Sequence, residues 1–171
     1  MPEIYVCPLS KLAATVEQSG ARHIATLINA GTEVPRPESV PQDNHLFLGF
    51  NDISEAMQGM TLPAQEHIRR FLDFVEAWDR TTPLVVHCWA GISRSTAGAF
   101  IAFCALRPDV SEDLVARRLR QRSPQATPNR RLVALADAYL KRDGRMIAAI
   151  EAIGRGANAF EGNVFSLAID E

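Results

Sequence analysis

Short apolar runs alternate along this chain with stretches whose apolar residues recur every three or four positions, and the alternation predicts strands interleaved with helices. Ile4 to Cys7 reads as a strand. Ser10 then caps a helix that carries Leu12, Ala13 and Val16 and stops at Gly20, and His23 to Ile28 reads as a second strand. Pro35, Pro37 and Pro41 lack amide hydrogens for a ladder, so residues 29–44 read as loop before a third strand, His45 to Gly49. After Pro63, the residues Ile68, Phe71, Leu72, Val75 and Trp78 form one core-facing helical stripe.

Leu84-Val85-Val86-His87 is too apolar to alternate, as expected of a strand covered on both faces. Arg94 to Leu106 reads as a buried helix ending before Pro108. A helix capped by Ser111 runs through Leu114, Val115 and Leu119, and another starts after Pro128-Asn129 with Leu132, Val133, Leu135, Ala136, Tyr139 and Leu140. Gly144 interrupts that last helix, and the end reads as irregular. The fold expected is α/β, a single domain over residues 1–153 with a mainly parallel central sheet of about four to five strands flanked by helices, then an irregular tail at 154–171.

A chain of 171 residues is long enough to bury a full core in one domain. Its apolar fraction of 47% and charged fraction of 22% are those of an ordinary globule, without a run near the ~20 apolar residues of a membrane span. The start lacks the basic and apolar regions of a secretory signal, so the location expected is cytoplasmic. The three cysteines, Cys7, Cys88 and Cys104, stand at unrelated spacings that fit neither a disulfide framework nor a zinc site. A net charge of −2 argues against charge-driven binding of nucleic acid.

The most informative stretch is His87-Cys88-Trp89-Ala90-Gly91-Ile92-Ser93-Arg94-Ser95, between a buried strand and a helix. Open α/β sheets bind ligands at such a junction. Inward amides of Trp89, Ala90, Gly91, Ile92, Ser93 and Arg94, together with the helix amino end, would form a bowl for a phosphate dianion, with Gly91 supplying backbone freedom. Arg94 would close one side with its planar fork. Cys88 would lie at the bottom as nucleophile, its sulfur held as a thiolate by the same amides and dipole. Ser95 either satisfies helix amides or bonds the Cys88 sulfur. His87 either orders the loop from behind or is a plain strand-end histidine.

His87-Cys88-x-x-Gly91-x-x-Arg94-Ser95 resembles the active-site signature of the protein tyrosine phosphatase superfamily, and the compact size is similar to its dual-specificity branch. The likeness runs from Ile4 to about Leu140 and includes Pro128-Asn129. It implies hydrolysis of phosphate monoesters through a phosphocysteine intermediate, no cofactor or metal, and a phosphorylated protein or small phosphate ester as partner. It also implies an aspartic acid on a separate loop as proton donor. Asp52, after the third strand and expected beside the catalytic one, fits best; Asp43 and Glu55 are alternatives, and Asp52 making only a turn with Asn51 is another. The segment Gly49 to Thr61 reads either as a lid or as an ordinary connection.

An apolar rim at Trp89 and Ile92, with Phe50 opposite, favours phosphotyrosine-like aryl phosphates over phosphoinositides. Arg117, Arg118, Arg120, Arg122, Arg130 and Arg131 argue the other way if they line the cleft; a solvated helix face is the alternative, with Arg122 as a further loop support. Competing functions are a sulfurtransferase or arsenate reductase and a non-catalytic phosphoprotein-binding module. Cys104 is about 15 Å of helix away from the loop and is no redox partner for Cys88, whereas Cys7 stays open in that role.

Overall fold

The structure, a computed structural model, describes residues 2–171. Eleven principal elements follow in the order β1 (Glu3–Pro8), α1 (Leu12–Ser19), β2 (His23–Ile28), β3 (His45–Gly49), α2 (Gln65–Ala77), β4 (Leu84–Cys88), α3 (Arg94–Leu106), α4 (Glu112–Arg122), α5 (Arg130–Tyr139), α6 (Arg145–Ile153) and β5 (Phe165–Ala168). The sheet order is β3-β2-β4-β1-β5, with β5 antiparallel to β1 and the other pairs parallel. The α/β class is as the sequence implies. The apolar strand β4 lies at the centre and is buried along its whole length.

Two cores form on the two faces of the sheet. Leu12 and Val16 of α1 pack with Cys7, Ile24 and Val85 on one side. On the other, Phe71 and Val75 of α2, Phe100 and Phe103 of α3, Leu119 of α4 and Leu132 of α5 meet Val6, Leu27 and Val86. Ser111 and Asn129 cap α4 and α5 through their side-chain oxygens, which accept from Leu114 N and Leu132 N. All four parallel strands point their carboxyl ends at one edge, where the loop after β4 lies.

Four expectations differ from the structure. Ser10 does not cap α1, whose N-cap position is Lys11 without a side-chain bond, because the Ser10 hydroxyl donates to Glu161 Oε1 instead. β3 is not beside β4: β2 separates them, because β2 pairs with both. Gly144 does not merely interrupt a helix. The chain leaves α5 at Leu140, passes Lys141, Asp143 and Gly144 with positive φ, and starts α6, whose first amides at Gly144 and Met146 are accepted by the Asp137 carboxylate, both at 2.8 Å. The stretch after Gly154 lacks helix or strand only as far as Val164. Phe165–Ala168 then adds β5 to the β1 edge and buries Phe165, Leu167 and Ile169.

Candidate active site

The loop from β4 to α3 owes its shape to bonds made outside it. Gly91 has φ +70°, and a Cβ there would fall 2.8 Å from Pro8 N and 2.9 Å from Cys7 C, so the loop lies directly against the end of β1. Trp89 O accepts from Leu9 N (3.1 Å), Ala90 O from Gly162 N (2.8 Å), Ile92 O from Thr127 N (2.9 Å) and Ser93 O from Asn129 N (3.1 Å). In a trans peptide the following N–H points opposite to the carbonyl. The four outward carbonyls therefore turn the amides of Ala90, Gly91, Ser93 and Arg94 inward, at the amino end of α3.

Cys88 is 3% exposed at the base of this bowl. Gly91 N donates to its Sγ at 3.3 Å, and Ser95 Oγ lies 3.1 Å from the same sulfur. Arg94, 5% exposed, donates from Nη1 to Asn29 Oδ1 (2.7 Å) and to Phe50 O (2.8 Å), while its Nε is buried without a hydrogen-bond partner. One end of the guanidinium is thus fixed and another donor is left for a ligand. Cys7 and Cys104 are fully buried, and burial pushes each thiol up to about 12.

His87 is fully buried behind the loop. Its Nε2 lies 2.7 Å from Thr26 Oγ1, which lies 2.7 Å from His45 Nε2, and its Nδ1 lies 3.3 Å from Cys88 O. Burial pushes the His87 imidazole down to about 4, so it is neutral at neutral pH, and burial lowers His45 as well. One proton arrangement satisfies the chain: His45 Nε2–H donates to Thr26, Thr26 donates to His87 Nε2, and His87 Nδ1–H donates to Cys88 O. That last bond turns the amide of Trp89 away from His87.

Asp52 is exposed on the loop after β3. Its Oδ1 accepts from Ser93 Oγ at 2.7 Å and from Asn129 Nδ2 at 2.9 Å, and Asn129 Nδ2 also reaches Ile53 O at 3.2 Å. Asp43 precedes β3 and so lies at the opposite end of the sheet, and Glu55 is exposed with no such tie to the signature loop. Asn51 N donates to Thr61 O and Thr61 N to Asn51 Oδ1, both at 2.8 Å, pinching the base of the intervening segment. Phe50 does not face Trp89 across a rim. It is fully buried against His67, with ring centroids 4.9 Å apart, because its carbonyl must reach Arg94. Trp89 is half-exposed and Ile92 partly buried.

The family model described as protein-tyrosine phosphatase matches residues 58–126, a span that contains the whole signature loop. Human dual specificity protein phosphatase 16 is 30% identical over 131 residues, covering 75% of this chain. The chain belongs to the protein-tyrosine phosphatase superfamily, on its dual-specificity side. It spans only 18% of the length of that human relative. Its fold is shared with the solved structure of DUSP15, at TM-score 0.65 and 17% identity over 89% of this chain and 92% of that one. It is shared too with PTPMT1, solved in complex with PI(5)P, at TM-score 0.62 and 13% identity over 88% and 93%.

Within this superfamily framework the arginines from Arg117 to Arg131 mostly serve the scaffold. Arg117 pairs with Asp113, and Arg118 lies over the Phe103 ring. Arg120 braces the connection between α4 and α5, donating to the carbonyls of Ser123, Pro124 and Gly154. Arg131 Nε donates to Pro63 O. Only Arg130 of the six lines the cleft of 580 Å³ that adjoins Asp52 and Ser93, and it is paired with Glu151 at 2.5 Å.

Sequence reasoning missed Thr26, His45 and Asn29, and it missed the tie from Asn129 to Asp52. Thr26 stands in the middle of an apolar strand, and a lone hydroxyl there is a signal that something must satisfy it. Asn29 at the carboxyl end of β2 is readable only as a turn residue, because its partner is 65 positions away.

Proposed function

We propose that this chain is a cysteine-dependent phosphatase that hydrolyses phosphate monoesters, with phosphotyrosine-like aryl phosphates on proteins as its substrates. The observation that carries the reading is the buried, unpartnered Nε of Arg94, together with a Cys88 sulfur that already accepts from Gly91 N. A buried guanidinium donor without an acceptor calls for an anion, and inward amides call for the same one. Membership of the superfamily supports it independently.

In this reading the phosphate oxygens take the hydrogen bonds of Arg94 and of the amides from Trp89 to Arg94. The Cys88 thiolate attacks phosphorus in line, forming an S–P bond as the ester P–O bond breaks. Asp52, as the acid, gives its proton to the departing oxygen; as carboxylate it then takes a proton from the water that attacks the phosphocysteine, which frees phosphate and returns the thiolate. The Ser95 hydroxyl, 3.1 Å from Sγ, stabilises the departing sulfur. The Ser93 hydroxyl, able to donate or accept, serves both protonation states of Asp52.

The aryl preference rests on the half-exposed Trp89 at the rim and on the pairing of Arg130 with Glu151, which leaves the neighbouring cleft without a strong surplus of positive charge. A phosphoinositide substrate is the second reading, suggested by the lipid headgroup in the PTPMT1 complex. The test is turnover of an aryl phosphate in metal-free buffer by the wild type and Cys88→Ser, followed by kcat/KM for a phosphotyrosine peptide against a soluble phosphoinositide. Loss in Cys88→Ser with the peptide preferred is the expected result. Undiminished turnover in Cys88→Ser, or turnover of thiosulfate or arsenate in place of the aryl phosphate, overturns the mechanism; a tenfold preference for the lipid headgroup overturns the substrate class.

A further inference from the structure

Of the donors that hold the signature loop from outside, Gly162 alone comes from the last segment of the chain. Leu9 follows β1, and Thr127 and Asn129 lie between α4 and α5, all within the compact body. Gly162 sits in the stretch between α6 and β5, which crosses the loop as a strap. The strap is tied on either side of Gly162: Ser10 Oγ donates to Glu161 Oε1 at 2.8 Å, and Asn163 Nδ2 to Arg122 O at 2.9 Å. Further back, Gly156 N donates to Thr127 Oγ1 and Ala157 N to Pro124 O, at 3.0 and 2.9 Å.

We infer that this strap is a positioning element for Cys88, and that it acts through Gly162. The bond from Gly162 N to Ala90 O at 2.8 Å fixes one edge of the Ala90–Gly91 peptide plane. The opposite edge of that plane carries the Gly91 N–H, which donates to Cys88 Sγ at 3.3 Å. A peptide unit is rigid, so the strap aims the one loop amide that bonds the sulfur. An N–H aimed at sulfur favours the thiolate over the thiol, and release of the carbonyl frees the plane to turn.

Gly162 is buried and packed too closely for any other residue. A Cβ at this position would meet Gly91 O at 2.6 Å and Gly91 C at 3.3 Å, the same residue whose amide faces the sulfur. Its φ is not positive, so alanine is excluded by contact and not by backbone conformation. The close approach and the hydrogen bond are one device. The strap leans on Gly91 from outside while Gly91 leans on Cys88 within.

The inference rests on the reading of Cys88 as the nucleophile, but its test does not need phosphatase activity. The readout is the rate of Cys88 alkylation by iodoacetamide at pH 6 relative to pH 9, followed by peptide mass mapping; Cys7 and Cys104 are fully buried and do not compete. Dividing the two rates removes accessibility and leaves thiolate fraction. In Gly162→Ala the ratio is expected to fall about threefold or more. In Glu161→Ala/Asn163→Ala, which removes both flanking ties and leaves Gly162 in the chain, it falls in the same direction. A cooperative melting transition identifies folded protein. A folded Gly162→Ala with the wild-type ratio overturns the inference, and if that variant does not fold, a wild-type ratio in the double variant overturns it. A wild type inert toward aryl phosphates would refute the proposed function and leave this test standing.

Discussion

Ser93 Oγ donates to Asp52 Oδ1 at 2.7 Å, so the signature loop itself holds the carboxyl group on the loop after β3. Ser93 occupies the N-cap position of α3, yet its hydroxyl makes no cap bond. The usual stabilisation of a helix start is forgone there, and the hydroxyl binds the Asp52 carboxyl group instead. Asn129 reinforces the arrangement from α5, accepting the cap bond from Leu132 N with Oδ1 and donating to Asp52 with Nδ2.

A proton donor matters most when the departing oxygen is strongly basic. Asp52→Asn is therefore expected to lose on the order of 10²-fold on ordinary phenyl or alkyl phosphates and less on esters of very acidic phenols. Ser93→Ala should show the same dependence on the leaving group at a smaller amplitude, because it removes one of the two donors that fix the carboxyl. Rates across a series of aryl phosphates check both. A uniform loss in Asp52→Asn, independent of the leaving group, assigns the acid role elsewhere.

Much of this was legible in the sequence because it is local. The bounds of β2, β3 and α3 follow from apolar periodicity and from Pro and Gly at their ends, and the bowl follows from a nine-residue stretch between a strand and a helix. What was not legible is long-range. β5 has no signal of its own, since its four residues become a strand only against the free edge of β1. The neighbour of β4 was misread because chain order does not say which strands pair, and the Thr26 network joins three strands that periodicity can number but not bring together.

Thr26→Val tests that network. Valine keeps the shape and removes the hydroxyl, so the buried His87 Nε2 loses its donor and His45 Nε2 its acceptor. An unsatisfied buried polar group costs about 1–3 kcal/mol, and urea unfolding should register a loss of that size. Turnover is expected to fall as well, because a His87 freed at one end no longer fixes Cys88 O. An unchanged unfolding midpoint would mean that water replaces the hydroxyl.

Arg94 is held at one end by Asn29 Oδ1 and Phe50 O, and its Nε, buried without a partner, is the donor that the proposed function gives to the phosphate. Arg94→Lys replaces a directed fork with a point charge and should cost on the order of 10²-fold or more in kcat/KM. Asn29→Ala leaves the guanidinium present but tethered by one bond. It is expected to raise KM for an aryl phosphate and Ki for inorganic phosphate several-fold, with kcat changed less. Equal losses in the two variants would mean that Asn29 does more than orient the fork.

The histidines set the acid limit of the fold. The chain has four, His23, His45, His67 and His87, and burial lowers every one of them from the ordinary value of 6.5, His87 to about 4. Between pH 6.5 and 4 the unfolded chain binds a proton at His87 that the folded chain refuses, so stability rises with pH across that window and falls as the solution is acidified. The His87 contribution amounts to about 3 kcal/mol over the full window, at roughly 1.4 kcal/mol per pH unit. The other three are partly exposed and add less. Carboxylates lowered by their partners, such as Glu66 and Asp109, are ionised in both states until about pH 4.5, so in Cys88→Ser, which carries no thiolate at the loop, the loss between pH 6.5 and 5 belongs to the histidines. Thermal unfolding of that variant at half-unit steps of pH should give a midpoint that declines steadily over that interval, and a profile flat from pH 6.5 to 5 would show that His87 finds a compensating partner when protonated.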